Sequence, residues 1–349
     1  MRLSDLLRAA GAAVHWRSNP EIRGVKIDSR QVEPGDLFLA LKGAKDDGSR
    51  YAGEALARGA AVILTEGDAP IGSGSALASA EVLHVPGLRA LVGPLLDAWH
   101  GHPSRGMLAV GVTGTNGKST ITKLVASLLK ASGRKPITLG TISYEIGNEA
   151  MPSDLTTPGP DAFFRMLRTG LDRECDALVM EVSSHALSQD RVRGVTFSRA
   201  IFTNLTRDHM DYHKDFEDYY QAKKRLFTEY LRPDAMAILN VDSSYGARLA
   251  AELDVPRLTF SRGEPEIVAT EAGEAALADL RASALAAASG PAVPAVATVS
   301  TVADVLLTGS RLSLGGTEFE VAYRGRTHRF SSRLVGRINL ENLLAAVTL

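Results

Sequence analysis

The residues with the plainest chemical purpose form one run, Gly114, Thr115, Asn116, Gly117, Lys118, Ser119 and Thr120, inside MLAVGVTGTNGKSTITKLVASLLKASG at 107–133. Residues 107–112 are a short apolar run suited to a buried parallel strand. From Lys118 onward Ile121, Leu124, Val125, Leu128 and Leu129 fall on one helical face. Between the two, Gly114 and Gly117 permit a tight turn. A glycine loop that ends at a helix N-terminus gathers free N–H groups and the positive end of the helix dipole, and together these stabilise a bound phosphate. Lys118 would neutralise the outer phosphates, and Ser119 or Thr120 would ligate Mg²⁺. The spacing departs from the common GxxxxGKS/T rule, because Val112 stands where its first glycine belongs and the nearby glycines are Gly111 and Gly114. With strand, loop and amphipathic helix in register, a nucleotide site is expected here rather than an ordinary strand-to-helix turn.

Two more polar clusters follow apolar runs. ALVMEV at 177–182 reads as a strand, carries Glu181 near its end and opens into SSHALSQDR at 183–191. RAIF at 199–202 delivers TNLTRDHMDYH at 203–213, which crowds Asn204, Asp208, His209, Asp211 and His213 together. Ligands gather at the carboxyl ends of strands in open parallel sheets, so Glu181 is a candidate Mg²⁺ ligand, with an ion pair to a neighbouring arginine as the alternative. Clustered carboxylates and imidazoles need a cation or a partner to offset repulsion and desolvation. Contact with a Mg-nucleotide suits this cluster better than zinc at His209 and His213, since lone histidine pairs more often serve as hydrogen-bonded structure.

Smaller signals lie elsewhere. In IDSRQVEPGDLFLALKG at 27–43, Asp28, Ser29 and Arg30 stand at a strand end, where they either cap a turn or grip a ligand. Lys223, Lys224 and Arg225 lie on a helix expected at 215–230 and by pattern alone read as a solvated basic face. His15 and Trp16 read as packing or surface residues, and Cys175 as a small core residue.

These groups need a scaffold, and the totals bound it. The chain has 349 residues, 45% hydrophobic and 23% charged, enough for two domains. A formal net charge of −1 gives no global electrostatic case for nucleic acid or a membrane surface. A single cysteine excludes an internal disulfide, and the N-terminus lacks an apolar core for a signal peptide or spanning helix, so a cytoplasmic protein is expected. Residues 1–102 read as a small α/β unit with helices at 3–10, 51–58 and 88–100 and strands at 24–27, 36–41, 60–65 and 81–85; HGHPSRG at 100–106 punctuates the boundary. Residues 103–349 continue the alternation, with strands at 136–140 and 235–239, helices at 160–171 and 243–252, a hairpin at 305–323 and a helix entered at 334–346. An exposed polar loop carries Thr156, Thr157, Pro158 and Gly159. An Ala, Gly, Ser and Pro-rich excursion at 264–301 is partly helical near 274–288.

TGTNGKST, the Thr156-Thr157-Pro158 loop, MEVSSHALSQDRV, FTNLTRDHMDYH, YYQAKKRLF and GRINLENLLAA occur in an order that closely resembles the Mur ligase family, in particular its branch that adds the third residue of the peptidoglycan stem peptide. The string at 27–43 fits the same branch. The resemblance implies an α/β fold with a small N-terminal UDP-substrate domain, a P-loop-type ATPase domain with a mainly parallel sheet, and a third, Rossmann-like domain that this chain lacks. It implies an ATP- and Mg²⁺-dependent ligase that phosphorylates the D-glutamate carboxylate of UDP-MurNAc-L-Ala-D-Glu, after which an amino acid attacks the acyl phosphate to form an amide. Carried over by motif, Gly114 to Thr120 hold the ATP phosphates, and Asn204, Asn339 and Asn342 lie around the nucleotide. Ile27, Ser29, Thr156, Thr157, Ser183, Gln189 and Arg191 grip the UDP-linked substrate, while Ser119, Glu181 and His209 look like metal-site residues. Lys223 aligns with a lysine that family members carbamylate into an anionic metal ligand, which reverses its pattern-only reading.

One departure bears on activity. The Asp-Asn-Pro-Arg motif tied to meso-diaminopimelate selection belongs to the third domain and is not in this chain, so the third residue is left open among meso-diaminopimelate, lysine, ornithine and others. Without closure the acyl phosphate is exposed to water, so two readings stand: a ligase completed by a separate C-terminal domain or chain, and a homologue that binds ATP or the UDP-MurNAc-dipeptide without ligating. Folylpolyglutamate synthase shares the phosphate-loop style but is disfavoured by the 27–43 string and SSHALSQDR.

Overall fold

The computed structural model describes residues 1–43, 47–67, 81–263 and 303–349. The excursion at 264–301 and the helix expected near 274–288 lie outside the described residues. In chain order the elements begin with α1 (Leu3–Ala9), β1 (Val25–Lys26), β2 (Leu37–Ala40), α2 (Ala52–Ala57), β3 (Val62–Thr65), β4 (Glu81–His84), α3 (Leu88–Trp99), β5 (Leu108–Thr113) and α4 (Lys118–Ala131). They continue with β6 (Pro136–Leu139), β7 (Tyr144–Ile146), β8 (Glu149–Met151), α5 (Pro160–Asp172), β9 (Ala177–Glu181), α6 (Ser184–Ser188), β10 (Phe197–Phe202), α7 (Phe216–Thr228), β11 (Leu231–Asn240) and α8 (Ser244–Glu252). Last come β12 (Arg257–Ser261), β13 (Val305–Ser313), β14 (Gly316–Tyr323), β15 (Arg326–Ser332) and α9 (Arg337–Thr348). The chain divides into one compact unit of Met1–Gly111 and Ala126–Ser198 and another of Val112–Val125 and Arg199–Leu349, so the division falls within β5 along the chain.

The first unit holds a four-stranded parallel sheet in the order β1-β2-β3-β4. LFLA in β2 and VILT in β3 are buried along their whole length, as unbroken apolar runs must be in a parallel sheet covered on both faces. Helix α3 buries Leu88, Val92, Leu95 and Leu96 and packs on α1 and α5. The unit also contains strands in the order β9-β6-β7-β8, with β6 parallel to β9 and antiparallel to β7. Sequence reading missed the β7–β8 hairpin, because strands of 3 residues are too short to show an alternation.

The second unit orders its strands β15-β14-β13-β12-β11-β10. Pairs β11–β12 and β12–β13 are parallel, and β13–β14–β15 is an antiparallel meander. Strand β15, RTHRFSS, also escaped the sequence reading: it is polar and exposed, and hydrogen bonding to β14 rather than side-chain burial defines it. Helix α7 buries Tyr219, Tyr220, Lys223, Leu226 and Phe227, and Phe227 meets Phe202 of β10 edge-on at 6.3 Å. The solvated basic face is therefore corrected for Lys223, which is 1% exposed: four residues from both Tyr219 and Phe227, it lies on their stripe. Lys224 and Arg225 keep that reading and pair with Glu252 at 2.8 Å and Glu229 at 2.7 Å.

Candidate phosphate-loop and substrate-loop sites

Strand β5 ends at Thr113 and α4 starts at Lys118, so residues 114–117 make the turn. Gly114 at φ 145° and Gly117 at φ 85° hold backbone conformations that L side chains rarely adopt. Neither has room for a side chain: a Cβ at Gly114 would press on the Thr203 hydroxyl, and one at Gly117 on the Asn342 side-chain oxygen. The loop is braced by residues that follow β10. The main-chain oxygen of Asn204 accepts from Thr115 N at 2.9 Å and its side-chain oxygen from Asn116 N at 2.9 Å. The Thr203 hydroxyl donates to Asn116 O at 2.6 Å, Thr206 N donates to the Thr115 hydroxyl at 3.0 Å, and that hydroxyl lies 3.2 Å from the Tyr219 phenol. The first turn of α4 presents N–H groups that no preceding turn can satisfy, the requirement for an anion site.

Lys118 Nζ donates to Gly114 O at 3.1 Å and Thr115 O at 2.7 Å, folded over the loop whose ligand it would neutralise. Lys223 Nζ reaches Gly114 O at 2.8 Å and lies 4.5 Å from the centre of the Tyr219 ring. Burial, and then the charge of Lys118, push the Lys223 amine well below the ordinary lysine range, against the opposing pull of Asp208. Burial also raises the Tyr219 phenol to about 12.

The other expected residues of this unit divide by role. His209 lies on the same loop with φ 55°, its Nε2 3.5 Å from Asp208 and its ring edge-on to Tyr219. His213 is buried and bonds Asp218 through Nδ1 at 2.9 Å, the structural use of a histidine. Asn342, on α9, is buried against Gly117, and its side-chain NH₂ donates to Asn339 Oδ1 at 3.4 Å. Among the described residues no group of three or more His, Cys, Asp or Glu is arranged to hold a metal.

In the first unit the strand ends after β6 and β9 build a second polar centre. Glu181 is 1% exposed; its Oε1 accepts from Thr141 N at 2.8 Å and its Oε2 from the Thr141 hydroxyl at 3.2 Å. The expected alternative of an arginine partner for Glu181 is not met, since no cationic side chain pairs with it among the described residues. The loop at Thr156 and Thr157 was expected to be exposed. Thr157 is instead 1% exposed, because its hydroxyl donates to Glu181 O at 2.9 Å and accepts from Ser183 N at 3.1 Å. Arg191 donates from Nη1 to Thr157 O at 3.1 Å and forks onto Gln189 Oε1 at 3.0 and 2.7 Å. Thr157, Ser183, Gln189 and Arg191 therefore form one network, and Thr156 joins it through Thr141 at 3.0 Å.

Ile27 and Ser29 stand after β1. Ser29 donates to Glu54 at 2.8 Å, while Asp28 accepts from Arg30 N at 3.0 Å and pairs with its guanidinium at 2.8 Å, the turn-capping arrangement. No hydrogen bond joins Ile27 or Ser29 to the Thr156–Arg191 network among the described residues. Sequence reading passed over Thr141, Thr203, Thr206 and Tyr219. Thr141 had a signal: it follows β6 at the same kind of strand end that singled out Glu181.

A buried carboxylate satisfied by one threonine, with no cation beside it, fits a divalent ion better than it fits a structural ion pair. Mg²⁺ needs few protein carboxylates when phosphates and hydroxyls complete its shell, so the lack of a dense acidic cluster accords with that ion.

A mainly parallel α/β scaffold with a glycine loop braced at a helix start defines a protein of the phosphate-loop class. Residues 112–281 match the Mur ligase middle domain, and residues 21–97 match the Mur ligase family catalytic domain. The UDP-N-acetylmuramoyl-L-alanyl-D-glutamate–2,6-diaminopimelate ligases of Geobacter metallireducens and Geobacter sulfurreducens are 38% and 39% identical to the chain over 353 and 355 aligned residues, which take in 99% of it. The chain spans 61% of the length of each. A solved structure of a ligase of that name superposes with a TM-score of 0.76 at 23% identity, covering 99% of this chain and 63% of its own. MurF from Acinetobacter baumannii superposes at 0.62 and 20% identity, covering 99% and 63%, and supports the fold. The chain belongs to the Mur ligase family.

Proposed function

We propose that this chain carries the substrate-binding and ATP-binding parts of an amide ligase of peptidoglycan precursor synthesis. Its reaction joins an amino acid to UDP-MurNAc-L-Ala-D-Glu through an acyl phosphate, in the cytoplasm. The observation that carries this reading is the convergence of Lys118 and Lys223 on the braced loop at Gly114. Phosphoryl transfer is mainly positioning and charge neutralisation, and the loop N–H groups with Lys118 supply both. Asn204 and Asn342 fix the shape of the loop around the nucleotide, and Asn339 orients Asn342. Ser119, His209 and, once carbamylated, Lys223 would serve as Mg²⁺ ligands in one unit, and Glu181 as a Mg²⁺ ligand in the other. When bound, Mg²⁺ offsets charge on the transferred phosphoryl group.

Residues 1–102 serve as the UDP-binding domain, with Ile27 and Ser29 on the UDP moiety, and residues 103–349 as the ATP domain. The network of Thr156, Thr157, Ser183, Gln189 and Arg191 takes the muramoyl-dipeptide. The relatives' names support this substrate assignment. Among the described residues no helix is long and apolar enough to cross a membrane.

Calorimetric titration with UDP-MurNAc-L-Ala-D-Glu and with Mg-ATP, followed by phosphate release with candidate amino acids, tests the reading. Binding of both ligands and amino-acid-dependent release are expected of a ligase. Binding of both without release would assign this chain binding alone. Binding of neither overturns the proposal.

A further inference from the structure

Two large aliphatic side chains stand in solvent beside the Thr156–Arg191 network: Ile142 is 67% exposed and Leu155 46%. Ile142 follows Thr141 in the chain and Leu155 precedes Thr156, and the hydroxyls of these two threonines lie 3.0 Å apart. The aliphatic side chains therefore come from the two loops that meet at that hydroxyl pair. Further bonds stitch the loops together. The Tyr144 phenol bonds both the N–H and the carbonyl of Leu155, and the Ser153 hydroxyl donates to Thr141 O. Tyr144 is 3% exposed, so the loop at Leu155 is anchored to a ring packed in the core.

The pleat of a strand would put Ile142 in phase with Tyr144 and Ile146, which are 3% and 2% exposed. It does not share their burial, because β7 begins only at Tyr144 and the chain ahead of it turns where Thr141 N donates to Glu181 Oε1 at 2.8 Å. A single exposed aliphatic residue is ordinary on a protein surface. Here two of them are held on braced loops at the border of a polar network, the arrangement that covers an apolar group whose neighbours form hydrogen bonds. The L-alanyl residue in the relatives' names is such a group, a methyl set between two amides. We propose that Ile142 and Leu155 are specificity-determining residues that form an apolar lip over the L-alanyl methyl of the substrate. This rests on the proposed reading of the Thr156–Arg191 network as the muramoyl-dipeptide site.

The test is titration of wild type, an Ile142→Ser/Leu155→Ser double variant and an Ile142→Val/Leu155→Val double variant with three ligands: UDP-MurNAc-L-Ala-D-Glu, its glycyl analogue UDP-MurNAc-Gly-D-Glu, and UDP alone. Wild type should bind the alanyl ligand about fourfold tighter than the glycyl one, the size of one buried methyl. The double serine variant should bind the two alike. Its UDP affinity and melting temperature should match wild type, because both side chains are exposed. The double valine variant keeps aliphatic surface at both positions and should hold the alanyl preference within about twofold of wild type. Equal binding of the alanyl and glycyl ligands by wild type would overturn the lip, as would a preference that survives in the double serine variant or an equal loss of UDP affinity there. In each of those cases the substrate assignment stands, provided wild type binds either muramoyl ligand more tightly than UDP. A wild type that gains nothing over UDP from the muramoyl-dipeptide would instead overturn the substrate assignment, and the lip with it.

Discussion

Lys118 and Lys223 end on one acceptor, the main-chain oxygen of Gly114, at 3.1 and 2.8 Å. Two amines on one carbonyl repel when both are charged, and Lys223 is the buried partner, 1% exposed. A phosphate oxygen is a stronger acceptor than a carbonyl and would draw the more exposed Lys118 away from the loop.

Lys118→Ala should therefore lower ATP affinity at least tenfold and leave melting temperature within about 2 °C, because its head group bonds the Gly114 and Thr115 carbonyls of a loop that other residues also brace. Calorimetric titration with Mg-ATP measures the first and a thermal melt the second. Unchanged ATP affinity would remove Lys118 from the phosphate site.

Lys223→Met keeps the volume and removes a buried amine, so the fold should be retained. Amino-acid-dependent phosphate release should fall sharply, and added bicarbonate should not restore it. Full activity in this variant would rule out a carbamate at that position.

Gly117 and Gly133 share φ 85°, but only Gly117 has a neighbour where a Cβ would stand. A left-handed φ costs an L-residue about 1–2 kcal/mol, so both Gly→Ala variants should lose about that much stability. Gly117→Ala should lose more and should also lose ATP binding, because Asn342 must move. If Gly133→Ala impairs ATP binding equally, the contact with Asn342 is not what matters.

Glu252 accepts from Tyr220 at 2.6 Å and Lys224 at 2.8 Å, and also from Arg248. Burial pushes its carboxyl up, but these three donors outweigh it and bring the pKa down to about 2. A depressed carboxyl pKa adds stability above the unfolded value near 4.5, and that stability is lost as pH falls from there toward about 2. Chemical denaturation between pH 6 and pH 3 should show wild type losing more stability than Glu252→Gln, a difference that a parallel decline in the two proteins would refute.

How far the sequence reached depended on where the determining contacts lie. The turn between Thr113 and Lys118 was legible because strand end, turn and helix start are local in the chain. The parallel strands were legible for the same reason: an apolar run such as LFLA needs burial on both faces wherever it sits. Lys223 shows the limit of pattern. Its neighbours Lys224 and Arg225 suggest solvent, and only its burial on the face of α7 that carries Tyr219 and Phe227 shows otherwise.

Sequence alone thus determined the class of the loop, the alternation of strand and helix, and the polar character of each strand end. Tertiary structure decided which polar ends meet. Thr141 and Glu181 are far apart in the chain and become neighbours because β6 pairs in parallel with β9, which brings their carboxyl ends together. Thr157 is buried rather than exposed because the main chain at Glu181 and Ser183 supplies the partners its hydroxyl needs. A side chain's types and spacing say what bonds it can make, but whether water or protein makes them depends on long-range strand register, which local sequence does not encode.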